Sequence, residues 1–129
     1  MNKPKILVVE DDEDLLKGLR IRLQAHGYDV VVASDGCAAV SVACQELPDL
    51  LLLDIGLPVG DGFRVIERLR SLFSTDIPVI VLSGRDPEHN VARALRSGAQ
   101  AFFQKPADNE ELFAAIRDVL GEATQQISG

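Results

Sequence analysis

Glu10, Asp11, Asp54, Ser83 and Lys105 are the residues of this chain whose types could do chemistry together. Each stands at the end of a short apolar run: Ile6–Val9, Leu50–Leu53, Pro78–Leu82 or Ala101–Phe103. Two carboxylates about 5 Å apart repel by roughly 3 kcal/mol at an effective dielectric near 20. A cluster of such groups therefore needs a cation or raised pKa values. Magnesium suits it, because that ion takes oxygen ligands, binds through one or two carboxylates, keeps several waters and bridges to phosphate. Zinc is not favoured, since no Cys or His falls in the set. A carboxylate can attack phosphorus. A lysine and a cation would neutralise charge on the moving phosphoryl group, and a hydroxyl could hold one of its oxygens. Asp11 and Asp54 as metal ligands, Asp54 as nucleophile, and Ser83 and Lys105 as phosphoryl contacts make a complete set.

The elements that must position these residues are legible from periodicity. Ile6–Val9 reads as a strand buried on both faces. Leu15, Leu16, Leu19, Ile21 and Leu23 then give a helical pattern that stops near Gly27. Val30–Ala33 is a second strand, and Cys37–Leu47 a small-residue helix ended by Pro48. Leu50–Leu53 is a third strand closing on Asp54, followed by a turn-rich segment with Gly56, Pro58, Gly60, Asp61 and Gly62. Phe63–Phe73 is a helix with Val65, Ile66 and Leu69 on its apolar face, and Pro78–Leu82 a strand ending at Ser83–Gly84. Val91–Leu95 lies in a further helix stopped near Gly98. Ala101–Phe103 is a short strand leading to Lys105–Pro106, and Glu110–Leu120 is the last helix. Strand then helix, five times, predicts a parallel sheet covered on both faces. In such sheets ligands gather at the carboxyl ends of the strands, which is where the five residues fall.

Composition excludes several classes. The chain has 129 residues, one domain's worth, and 47% of them are hydrophobic. Its formal net charge of -7 disfavours direct nucleic-acid binding and anionic membrane surfaces; it suits a cation site or a partner with a basic face. Cys37 and Cys44, two helical turns apart, stand too far from one another for a disulfide and read as reduced packing residues of a cytoplasmic protein. No apolar run is long enough to span a membrane, and the N-terminus lacks the apolar core of a signal peptide. Neither the phosphate-cradling G-x-x-x-x-G-K-[ST] nor G-x-G-x-x-G occurs. His26 and His89 read as surface or helix-end residues without chemistry.

The motifs in order resemble the receiver domain of bacterial two-component response regulators. The matching pieces are Val8-Val9-Glu10-Asp11-Asp12, Leu53-Asp54-Ile55-Gly56-Leu57-Pro58 with Asp61-Gly62, Val81-Leu82-Ser83-Gly84, Gly98-Ala99, and Phe102-Phe103-Gln104-Lys105-Pro106. Each alone is weak; all five in order, each at a strand end, are specific. The resemblance covers Lys5–Leu120. It implies a flavodoxin-like, doubly wound α/β fold with five parallel strands in the order 2-1-3-4-5 and five helices. The receiver domain would span 1–121, and 122–129 would be a loose tail or the start of a linker. By the same resemblance, Asp54 accepts a phosphoryl group from a sensor histidine kinase or phosphotransfer protein. Glu10 and Asp11 hold magnesium with Asp54, and the Gly56 backbone carbonyl is a further ligand. Ser83 and Lys105 close on the phosphoryl group, the Lys105–Pro106 bond is cis, and Phe102 is the aromatic switch that swings inward as Ser83 moves. The output would be a changed face around the Val91–Leu95 helix, the Ala101–Phe103 strand and the last helix. That face would serve an unknown downstream effector, and the resemblance also allows a homodimer through it.

Two departures qualify the match. Phe102 stands where many members have tyrosine, so its switch would work by packing alone. Lys105-Pro106-Ala107-Asp108 lacks a phenylalanine often found in members fused to winged-helix DNA-binding domains, and the last helix lacks their arginine-rich end; the reading leans away from that subgroup. Taken singly, the motif residues have plainer readings: Glu10–Asp14 as a charged helix start, Asp54 and Ser83–Gly84 as turn formers, Lys105 as a solvated lysine, Phe102 as core. The leading function is thus a phosphorylation-dependent signalling switch, not an enzyme with turnover. The alternative is a degenerate receiver that binds partners without phosphorylation. An aspartyl phosphohydrolase is disfavoured, because the general acid expected two residues after the nucleophile is Gly56.

Overall fold

The computed structural model describes residues 3–55, 62–72, 77–84, 96 and 98–121. Five strands, β1 (Lys5–Val9), β2 (Asp29–Ala33), β3 (Leu50–Asp54), β4 (Val79–Ser83) and β5 (Ala101–Gln104), form one parallel sheet in the order β2-β1-β3-β4-β5. Four helices are described: α1 (Glu13–Ala25), α2 (Gly36–Glu46), α3 (Gly62–Leu72) and α4 (Asn109–Leu120). The expected helix at Val91–Leu95, Gly56, His89 and the tail 122–129 lie outside the described residues.

Period-two geometry explains how one run of leucines serves two cores. In β3, Leu51 and Leu53 pack with Leu7 and Val9 of β1 and with Ala39, Ala43, Phe63, Ile66 and Leu69 of α2 and α3. Leu50 and Leu52 face the other way, with Ile6, Val8, Ile80 and Leu82, onto Leu19 and Leu23 of α1 and Leu112 and Ile116 of α4. Every residue of β3 and β4 is buried, as both-face coverage requires. Burying a leucine of this kind is worth about 1.5–3 kcal/mol.

The helix ends follow from their caps. The Asp12 carboxylate accepts from the Asp14 and Leu15 N–H groups at 3.0 and 3.2 Å. Asp35 and Asp108 cap α2 and α4 in the same way, at 2.8 and 3.0 Å. α2 ends one residue before the expected position, with Leu47 in the left-handed region at φ 50. Gly98 enters β5 at φ +100, and the Arg70 guanidinium of α3 lies where a side chain on Gly98 would have to go.

Two expectations need correction. Cys37 and Cys44 are free but exposed, not packing residues. The buried stripe of α2 is Gly36, Ala39 and Ala43, so the cysteine stripe, seven residues apart, points to solvent. Ile21, grouped with the apolar face of α1, is 62% exposed; the inward residues there are Leu19 and Leu23. His26 does end α1, its Nδ1 2.8 Å from the Arg22 carbonyl and its ring against Phe113.

Candidate functional site

Parallel pairing brings the carboxyl ends of β1, β3, β4 and β5 to one edge. Val9 is in register with Leu53, Asp54 with Leu82, and Ser83 with Gln104. The loops beyond are tied back by the main chain. The Glu10 N–H donates to the Ala33 carbonyl at 3.1 Å, Ile55 N–H to Leu82 at 3.2 Å, and Lys105 N–H to Ser83 at 2.8 Å. Glu10, Asp11, Asp54, Ser83 and Lys105 are thereby held on a single rim, although the first and last are 95 positions apart in sequence.

Three of them converge as acids. Glu10, Asp11 and Asp54 each present a carboxylate oxygen, and these oxygens lie within 4.8 Å of one another. Glu10 and Asp54 are buried, at 1% and 5% exposure, while Asp11 is exposed at the mouth. Lys105 answers them: its Nζ donates to Asp54 Oδ2 at 3.1 Å and sits 2.6 Å from Glu10 Oε2. The contact to Glu10 has ion-pair distance but not hydrogen-bond geometry, and Glu10 Oε2 is left without a hydrogen bond. The charge attraction at that distance does not depend on the angle.

The electrostatics follow. Burial pushes the Glu10 carboxyl up from its ordinary 4.5 to about 7, with Asp54 adding to the rise and Lys105 and the Asp12 N–H opposing it. For Lys105, burial works against the ammonium, but Glu10 and Asp54 outweigh it and raise its pKa above 10.5. An acidic trio with a buried, unsatisfied oxygen is a donor set for a hard divalent cation. The residues present therefore fit magnesium.

The acid run Glu10–Asp14 divides by role. Glu10 and Asp11 join the cluster. Asp12 caps α1, and its N–H donates to Glu10 Oε1 at 3.1 Å, orienting that carboxylate. Sequence reasoning missed this bracing role, although an Asp immediately before the first apolar-periodic residues is a helix-start signal. Ser83 is fully buried at the end of β4. Phe102 is half-buried and packs against the α2–α3 side of the sheet. The Lys105–Pro106 peptide bond is cis.

The model of the response regulator receiver domain matches residues 6–117. The chain belongs to the response regulator receiver domain family. The chain is 39% identical over 120 residues to the alkaline phosphatase synthesis transcriptional regulatory protein PhoP of Bacillus subtilis, covering 93% of the chain and 49% of the relative. It is 40% identical over 118 residues to the DNA-binding dual master transcriptional regulator RpaA of Synechocystis, covering 91% and 49%. The chain thus spans about half the length of these curated relatives. Among solved structures, the BeF3-activated N-terminal receiver domain of Klebsiella pneumoniae RstA superposes with a TM-score of 0.83 at 35% identity, covering 90% of this chain and 97% of that one. A CheY-like receiver domain protein of Methanospirillum hungatei gives 0.87 at 27% identity, covering 97% and 99%.

The receiver identity makes the chain a regulatory domain of two-component signalling, and phosphorylation-dependent signalling fits it. No described helix is long and apolar enough to cross a membrane.

Proposed function

We propose that Asp54 is the phosphoryl acceptor of this receiver. The observation that carries the reading is the convergence of Glu10, Asp11 and Asp54 on Lys105 at the carboxyl edge of the sheet. A carboxylate oxygen of Asp54 attacks the phosphorus of a phosphohistidine on a sensor kinase or phosphotransfer protein. The P–O bond forms as the P–N bond breaks, and the imidazole leaves with the electron pair. Lys105 lies against Asp54 and holds positive charge where the phosphoryl oxygens arrive. Ser83, at the adjoining strand end, donates its hydroxyl to one of those oxygens. Glu10, Asp11 and Asp54 would hold magnesium, which would supply positive charge against the group in transfer.

Phosphorylation then biases a two-state equilibrium. Moving it from 1:99 to 99:1 takes about 5.5 kcal/mol of differential interaction, within reach of a few charge-assisted contacts from Ser83 and Lys105. Phe102 reports the change by repacking. Phe102 is half-buried on β5 and packs against the core.

The test is to incubate the protein with acetyl phosphate and magnesium and measure its intact mass. Wild type gains one phosphoryl group, and Asp54→Asn gains none. An unaltered gain in Asp54→Asn removes Asp54 as acceptor. No gain in wild type under conditions that label a known receiver favours a phosphorylation-independent interaction module.

A further inference from the structure

A second feature lies away from the acidic rim. α2 and α3 enclose a groove of about 370 Å³, lined by Cys37, Val40 and Ser41 on one side and Arg64, Val65 and Arg68 on the other. Arg64 and Arg68 are exposed and stand one helical turn apart. Among the described residues, neither guanidinium has an ion-pair partner, and Glu67 between them pairs with neither. The facing helix supplies no counter-charge: the only charged side chain of α2 is Glu46, which pairs with Lys5 at 3.0 Å. Two unpaired cations thus flank an apolar floor of Val40 and Val65 in a chain whose net charge is -7.

We infer that the α2–α3 groove is a docking site for an acidic peptide segment that carries alternating carboxylate and apolar side chains. The spacing supports this choice. Residues four apart on a helix are separated by about 6 Å of rise, and alternate residues of an extended strand by about 6.4–6.8 Å. Two carboxylates in an i, i+2 relation can therefore meet both guanidiniums, each bidentately, while the intervening apolar side chain turns toward Val40 and Val65. Nucleic acid fits less well, because its affinity rests on many phosphate contacts released from counterions, and the groove offers two cations.

The two exposed thiols provide the readout. Cys37 lines the groove; Cys44, on the same helix, does not. Alkylation by iodoacetamide is followed at each cysteine with the peptide acetyl-Glu-Leu-Glu-Leu-Glu-amide present. The expected result is slower alkylation of Cys37 with Cys44 unchanged, protection that fades as salt is raised, and none from the lysine-substituted peptide. In Arg64→Ala/Arg68→Ala the peptide concentration needed for protection rises about tenfold, the fold-change expected of two exposed ion pairs. Both positions face solvent, and unchanged phosphoryl uptake from acetyl phosphate shows that the variant is folded. If the variant does not fold, the lysine peptide on wild type decides the charge question. Equal protection of Cys37 and Cys44, equal protection by the lysine peptide, or undiminished protection in the folded variant overturns the proposal. Equal protection by a single-stranded oligonucleotide of matched charge replaces the peptide with a generic polyanion.

Discussion

At the scale of residues, the decisive group is Lys105. Its ammonium compensates two carboxylates that burial would otherwise leave facing each other. Removing one partner from such a set strands the rest, which costs about 1–3 kcal/mol for a buried hydrogen-bonding group and more for a charged one. Lys105→Ala is therefore expected to lower the unfolding free energy of the metal-free protein near pH 7 by about 1–3 kcal/mol, read as a lowered urea midpoint. Added magnesium should restore more stability to the variant than to wild type, because it takes over the compensation. Equal magnesium effects on both proteins would mean that the lysine and the cation do not share the same carboxylates. The residue types of this site were legible in the sequence, since acids and a lysine at strand ends have few other uses in combination. The 1% exposure of Glu10 and its unsatisfied Oε2 were not: burial depends on the loop after β1 being drawn under the rim by the Glu10–Ala33 hydrogen bond.

At the scale of elements, the acid run after β1 separates into structural and chemical halves. Asp12→Ala removes the α1 cap and is expected to cost about 1 kcal/mol in denaturant unfolding, with little change in magnesium affinity by calorimetry. Its N–H still orients Glu10 after the substitution. Asp11→Asn should do the reverse, weakening magnesium while leaving the unfolding midpoint of the metal-free protein nearly unchanged. Loss of magnesium binding in both variants would show the run acting as one unit. The end of α2 makes a further case. Leu47 is 63% exposed and sits at φ 50, a conformation that side chains resist. Leu47→Gly is expected to stabilise the domain by about 0.5–1 kcal/mol, read as a raised urea midpoint. Strand positions and order followed from apolar runs and the receiver resemblance. The α2 stripe did not: with Cys37, Ala38, Ala39, Val40, Val42, Ala43 and Cys44 all small or apolar, periodicity could not choose which side faced inward, and the cysteines were assigned to the wrong one.

For the whole molecule, the Glu10 proton ties stability to the proposed metal binding. The folded Glu10 pKa of about 7 exceeds its ordinary 4.5. A group raised in the folded state binds its proton more tightly there. Its contribution is present in full below pH 4.5, shrinks as pH rises, and is gone above pH 7. The corresponding effect of Lys105 lies at pH above 10.5, outside the working range. Metal-free protein should therefore lose stability between pH 4.5 and pH 7 by this route. Magnesium needs the ionised carboxylate, so the proton competes with it below pH 7, and apparent affinity should fall by up to about tenfold per pH unit there. A saturating ligand at 100 times its dissociation constant adds about 2.7 kcal/mol. Thermal melts with and without magnesium at fixed concentration should thus show a larger rise in Tm at pH 8 than at pH 6. Glu10→Gln should flatten that difference, because its amide neither titrates nor carries charge to the ion. An identical magnesium shift at both pH values in wild type would place the cation away from Glu10, and the acidic rim would then be held by Lys105 alone.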